Sequence, residues 1–322
     1  MSRARLAWGG GAAALLAAGA IGIGAALAMT AGPEHHVERY LDALARDDLV
    51  TAARLAGLAE DAPLPLGDEG SASIRRIIAT APRSDGRVAV TAEYGDQRDA
   101  ARTTFLLEPA PPTAGVIPAW RFVDPPVTAL VVGVDQHDAL VVGPVAVTAP
   151  GPGEVARVAV LVPARVTVRL AEPLLLAEPV TVRATGLPDA PGSEASPVVL
   201  RAVPSMLLER EVGRLLDELL AGCAAQPVLK PAACPFGVAI ENRVTEPPVW
   251  RIDERAEVVL EPGAAVGEWR LRADGIATVA LSVQRLFDGR VFEREESVAF
   301  TAAGTVRLSG GQPELQVDPA RP

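Results

Sequence analysis

The chain has 322 residues and a mass of 33.4 kDa, about two domains' worth at roughly 150 residues each. Hydrophobic residues make up 49% and charged residues 22%, a composition that excludes an unfolded or collagen-like chain. Thirty basic residues against 40 acidic ones leave a formal charge of −10, which argues against nucleic acid as a partner. Aromatic residues are only 4%, so the cores must be built mainly from Val, Leu, Ile and Ala.

Residues Leu6 to Met29 form a run of 24 without a charge. As a helix this run would extend about 36 Å, enough to cross a hydrocarbon core of roughly 30 Å with some tilt. Arg3 and Arg5 precede it and Glu34 is the first acidic residue after it, so a single span over residues 1–30 would leave Met1 in the cytoplasm and the bulk outside. The rival reading is a cleaved secretory signal, with Ala26-Leu27-Ala28 as the processing site. Both readings export the rest of the chain. With no cysteine near the segment, a lipoprotein anchor is excluded. The remainder, with 28 basic and 40 acidic residues, carries −12 and would be repelled by anionic headgroups.

The first exterior region, 33–126, opens with Pro33-Glu34, suited to a helix start. Val37, Tyr40, Leu41 and Leu44 lie at i, i+3, i+4 and i+7, one apolar face. Asp47 or Asp48 can cap a second short helix carrying Leu49, Ala52 and Leu55, stopped by Gly57. Strand patterns succeed these helices at Ile74–Ala79, Val88–Tyr94, Thr103–Glu108 and Trp120–Val123, with Gly95-Asp96 in a hairpin turn. Helices followed by antiparallel strands predict an α+β unit.

The second region, 127–203, alternates short Val- and Leu-rich runs with Pro and Gly, the pattern of a small all-β sandwich. The third, 204–318, begins with Ser205 as an N-cap, and Leu208, Val212, Leu215, Leu216 and Leu219 form a continuous stripe that predicts a long helix. An antiparallel sheet should come after it, with Asp288-Gly289 as the turn between its longest strands. Outside the first 30 residues every Trp precedes an Arg, at 120, 250 and 269. Neighbours on a strand face opposite ways, so Trp would enter the core while Arg stays in water. The expected fold class is therefore α+β: an N-terminal transmembrane helix, an α+β domain, a central all-β domain, and a C-terminal helix with antiparallel sheet.

Cys223 and Cys234 are the only cysteines. An even count in an exported chain favours a disulfide, pinning the end of the long helix to the first strand after it. The spacing is wrong for a C-x-x-C redox motif. His35, His36 and Glu38 form one cluster of metal-ligand types. Adjacent histidines on a helix diverge by about 100°, and the third, His137, lies far away, so no metal site is expected. No G-x-S-x-G, S-x-x-K, H-E-x-x-H or phosphate-binding glycine loop occurs outside the apolar run. The expectation is a non-catalytic chain without a cofactor.

The stretch from Pro33 to Leu44, with Tyr40-Leu41-Asp42-Ala43-Leu44, then Asp47-Asp48-Leu49 to Ala53, resembles the opening helices of nuclear-transport-factor-2-like (cystatin-like) domains. Trp120-Arg121-Phe122-Val123-Asp124-Pro125 resembles their final strand. The likeness covers about 90 residues. It implies a cone-shaped cavity that Tyr40, Tyr94 and Trp120 would line. The whole chain resembles actinobacterial single-pass envelope proteins, distantly the teicoplanin-resistance-associated membrane proteins. The expected function is that of a membrane-tethered, extracytoplasmic interaction or scaffold protein with an envelope partner; the alternative is a ligand-binding or hydrolytic first domain acting on a lipid or cell-wall precursor.

Overall fold

A computed structural model describes residues 32–70, 73–97, 100–113, 117–186, 196–255 and 257–319. Strands account for 49% of the structure and helices for 15%, with three helices among the described residues. This overturns the α+β expectation and with it the nuclear-transport-factor-2-like reading of the first region. The physical reason lies in how little of the strand-rich chain the helices can cover: two of the three have only 13 and 7 residues. The segment expected to span a membrane, residues 1–30, lies outside the described residues. Among the described residues no helix is long and apolar enough to cross one.

The chain divides into two compact units that interleave in sequence. Unit 1 contains the described residues up to Val131, with Arg157–Val168 and Thr181–Pro197; unit 2 contains Val132–Ala156, Arg169–Val180 and Val198 onward.

In unit 1, helix α1 (Pro33–Ala45) buries Val37, Tyr40, Leu41, Ala43 and Leu44, the face read from its periodicity. Helix α2 (Leu49–Leu55) is capped by Asp48, whose carboxylate accepts from the Thr51 amide at 3.0 Å. Strands β1 (Ile74–Pro82), β2 (Val88–Gly95), β3 (Ala101–Thr113) and β4 (Ile117–Phe122) form an antiparallel meander in that order. Val88, Val90 and Ala92 on β2 meet Phe105, Leu107 and Phe122 beneath the helices. The core is not closed by residue 126, because Leu161 also belongs to it.

Four strands contribute residues to both units: β5 (Val127–Val134), β8 (Val155–Leu161), β9 (Ala164–Leu170) and β11 (Val180–Ala184). Between them run β6 (Ala139–Val142), β7 (Val145–Thr148) and β10 (Leu175–Leu176), and after them β12 (Val198–Leu200) and β13 (Val203–Pro204). The sheet orders are β11-β9-β6-β7 and β12-β5-β8, with β10 and β13 a separate pair. Strand β12 runs parallel to β5, from Val198 opposite Val132 to Leu200 opposite Val134.

Unit 2 is organised about helix α3 (Met206–Ala224). The Ser205 hydroxyl accepts from the Leu208 amide at 3.2 Å and donates to the Leu174 carbonyl at 2.8 Å, capping the helix and tying it to its surroundings. Leu208, Val212, Leu216 and Leu220 are buried. Strands β14 (Arg243–Val244), β15 (Val249–Arg255), β16 (Val259–Pro262), β17 (Glu268–Gln284), β18 (Val291–Ser309) and β19 (Gln312–Val317) form one sheet. Helix α3 packs on both β15 and β19, which lie on opposite sides of the β17–β18 pair, so the sheet curls around it. Trp250 and Trp269 are buried and Arg251 and Arg270 exposed, as strand alternation requires.

The apolar pattern of this stretch breaks into four shorter runs, Glu268–Arg272, Ile276–Phe287, Arg290–Phe300 and Thr305–Leu308. In the structure the first two fuse into β17, which ends at Gln284, and the last two into β18. Asp274-Gly275, between the first two, has the composition of a turn. Instead Gly275 stands opposite Phe300, and a Cβ there would lie 2.6 Å from the Phe300 ring and 2.7 Å from the Glu254 carbonyl oxygen. Glycine is required for that close approach, not for a reversal of the chain.

Candidate functional site

A cleft of about 630 Å³ opens on the curled sheet of unit 2. Its lining includes Glu254, Arg272, Asp274, Gly275, Phe300 and Thr301. A bulge between Ile252 and Glu254 shifts β15 against β17 at this level. Bulges re-aim side chains, and this one sits beside the exposed Glu254. Across the sheet the Thr301 hydroxyl donates to Asp274 Oδ1 at 2.6 Å, and Arg272 Nη2 stands 3.4 Å from the same oxygen. The Thr301 bond outweighs burial and holds the Asp274 carboxyl below its usual range, and the Arg272 charge adds a smaller lowering. The cleft therefore presents the Asp274 carboxylate, paired with Arg272 and bonded to Thr301, beside Glu254 and the apolar Phe300 ring, an arrangement suited to a ligand that brings hydrogen-bond donors. A second groove of about 550 Å³ runs beside α3, where Met206 stands among Glu209, Arg210, Arg214 and Glu257.

The densest polar cluster of unit 1 is built where residues 66–69 lie along residues 159–167. Leu66 exchanges backbone bonds with Ala159 and Leu161 at 2.9 and 2.8 Å, and the Glu69 amide donates to the Arg165 carbonyl at 2.9 Å. Between these, the Asp68 side chain is 1% exposed. Its Oδ1 accepts from the Arg165 amide at 2.7 Å, and its Oδ2 from the Tyr94 hydroxyl at 3.3 Å. The Arg165 guanidinium approaches Asp68 at 3.6 Å and bonds Asp96 at 2.8 Å. Burial, and secondarily the Asp68 charge, pushes the Tyr94 hydroxyl well above its ordinary range. For Arg165 burial acts to lower the pKa, but the bonds and charges of Asp96 and Asp68 together outweigh it and raise it. The associated cavity is about 10 Å³, room for no more than one water. This cluster is a fastening between chain segments.

Of the aromatic residues expected to line a cavity, Tyr94 borders this small one. Tyr40 is fully buried, its ring edge-on to Phe105 and Phe122 and its hydroxyl donating to the Val162 carbonyl at 2.8 Å. Trp120 is half-buried against the edge of the same core. Cys223 and Cys234 form the expected disulfide, with both residues buried. Trp250 Nε1 donates to the Val228 carbonyl at 2.8 Å, holding the bridged loop against β15.

The histidines are placed apart. His35 stands 3.6 Å from Glu38, and His36 Nε2 bonds the Leu55 carbonyl at 3.1 Å with its ring against Phe122. Burial lowers the His36 pKa. His137 lies near Asp138 and Glu172. Among the described residues no group of three or more metal-ligating side chains gathers.

Sequence reasoning singled out neither Asp68 and Arg165 nor Glu254 and Asp274. The first pair is 97 positions apart, and the cleft residues come from three strands. No local spacing signals either grouping. No protein-family model, curated protein or solved structure matches the chain.

Proposed function

We propose that the protein is an exported interaction module, held at the outer face of a membrane by its apolar N-terminal segment and acting without catalysis in the cell envelope. The observation that carries the reading is the Cys223–Cys234 disulfide. Such bonds persist in oxidising compartments and are rare in the reducing cytosol. The uncharged run from Leu6 to Met29, preceded by Arg3 and Arg5, supplies a route out and a point of attachment. The cleft at Glu254 and Asp274 is the surface on which an envelope partner bearing amine or guanidinium groups would be recognised.

Topology decides the export. In intact cells a membrane-impermeant protease should degrade the chain, and the protein recovered from untreated cells should contain no free thiol until it is reduced. A chain spared by the protease, or two thiols that react without reduction, would refute the reading. For the cleft, Glu254→Lys and Asp274→Asn should lose a crosslinked envelope partner that Glu261→Lys retains.

A further inference from the structure

The turn that joins β17 to β18 is built against the ordinary logic of a hairpin tip. The two strands pair in continuous register from Glu268 opposite Arg307 to Gln284 opposite Val291. At about 3.3 Å per residue the hairpin is roughly 55 Å long. Its end is tightly bonded. The Arg285 amide donates to the Arg290 carbonyl at 2.9 Å, and the Gly289 amide returns to the Arg285 carbonyl at 3.0 Å. Gln284 Nε2 donates to the Gly289 carbonyl at 3.0 Å, and Asp288 Oδ1 accepts from the Arg290 amide at 3.2 Å. Gly289 has φ +71°, the left-handed conformation that the turn requires and that glycine adopts freely.

A turn so well satisfied could carry polar side chains at no cost. It carries Leu286 and Phe287, which are 73% and 95% exposed, with Val291 beside them at 53%. Immediately behind stand two arginines. Arg285 lies 5.8 Å over the Phe292 ring and pairs with Asp288 at 3.2 Å, while Arg290 is exposed. From Arg285 to Arg290 the tip thus holds two cations and one anion, one net positive charge confined to the turn, ahead of the acidic Glu293, Glu295 and Glu296 on β18.

We infer that this tip is a membrane-contacting finger: Leu286 and Phe287 enter the interfacial region of a phospholipid bilayer, and Arg285 and Arg290 sit at the level of the phosphates. An apolar end with a cationic collar matches the polarity profile of that interface. A protein partner fits less well, since a stable protein interface buries about 800 Å² on each side and two side chains on a narrow turn offer far less. A bilayer accepts a small apolar tip when a second attachment keeps it nearby. The inference rests on the proposed tethering, which supplies that attachment.

The test uses the full-length chain with Phe287→Cys, labelled with an environment-sensitive thiol probe and reconstituted into phosphatidylcholine vesicles with and without phosphatidylglycerol. Both native cysteines are bridged, so only the introduced thiol reacts. The expected result is co-flotation with the vesicles, a blue-shifted probe quenched by spin-labelled lipid rather than aqueous iodide, and a larger response with phosphatidylglycerol. A probe at Glu261→Cys should remain iodide-accessible throughout. Deleting the neighbouring apolar group with Leu286→Ala should lower the ratio of inserted to free tip roughly tenfold, the factor expected when a side chain of that size loses its burial. Arg285→Gln with Arg290→Gln should abolish the preference for phosphatidylglycerol.

Co-flotation with a probe that stays in water overturns the finger and leaves the tether standing. A chain that does not float overturns both. A blue shift without lipid quenching, reproduced by a second copy in detergent, assigns the tip to a protein contact and overturns the inference. Equal response in both lipids overturns the role of the arginines.

Discussion

Asp68→Ala probes the fastening of residues 66–69 onto residues 159–167 most directly. The carboxylate is almost wholly buried and makes three contacts, at 2.7 Å to the Arg165 amide, 3.3 Å to the Tyr94 hydroxyl and 3.6 Å to the Arg165 guanidinium. Leaving the partly buried Arg165 amide without a partner costs about 1–2 kcal/mol, and the long Tyr94 bond adds about 1 kcal/mol. The guanidinium keeps Asp96 at 2.8 Å and is 19% exposed, so its loss is the smaller part, about 0.5–1 kcal/mol. The expected total is about 3 kcal/mol. It would be read as a lowered urea midpoint at unchanged slope, together with faster hydrogen exchange at the Arg165 amide. Asp68→Asn keeps an oxygen for that amide and should lose only about 1–2 kcal/mol. The cycle with Tyr94→Phe sharpens the test, because the tyrosine substitution should cost about 1 kcal/mol in the native background and close to nothing once Asp68 is gone. A loss below about 0.5 kcal/mol for Asp68→Ala, or strict additivity with Tyr94→Phe, would refute the account of the cluster.

Both tyrosines of the chain are held protonated by burial, with hydroxyl pKa values raised above the usual 10. Below pH 10 folded and unfolded states are protonated alike. Above it the unfolded chain releases protons that the folded chain retains, so stability should fall as pH rises from about 10. Tyrosinate absorbance should consequently appear together with unfolding, and a titration near pH 10 in protein that remains folded would contradict the burial of Tyr40 and Tyr94. Replacing Cys223 and Cys234 with Ser should cost about 3 kcal/mol by the loop-closure argument for a bridge spanning 11 positions, measured as a lowered denaturation midpoint. Gly275→Ala should destabilise by about 1–2 kcal/mol, because overpacking against Phe300 and the Glu254 carbonyl outweighs the lower chain entropy of alanine; a stabilised variant would show that the approach is looser than described.

The local elements were legible in the sequence because their causes are local. The apolar faces of α1 and α3, the caps at Asp48 and Ser205, the turn at Asp288-Gly289 and the cysteine pairing each arise from residues within about a dozen positions of one another. The α+β expectation failed because two helix signals near the start of the chain outweighed many weaker strand signals behind them. Strand pairing depends on partners that no short window contains. The strand β19 was missed for this reason: Gln312–Val317 has few large apolar residues and exists because β18 offers it an edge from Gly304 to Ser309.

What the sequence by itself determined is therefore the helical faces, their caps, the disulfide partners and the acidic character of the chain. Tertiary structure alone decided that Gly275 lies inside a strand, that Asp68 meets Arg165 across 97 positions, and that Leu286 and Phe287 stand at the end of a long hairpin. Periodicity records which face of an element seeks an apolar neighbour. It carries no record of which distant segment meets that face, because that choice is made by packing and hydrogen bonding after the chain has closed its long loops.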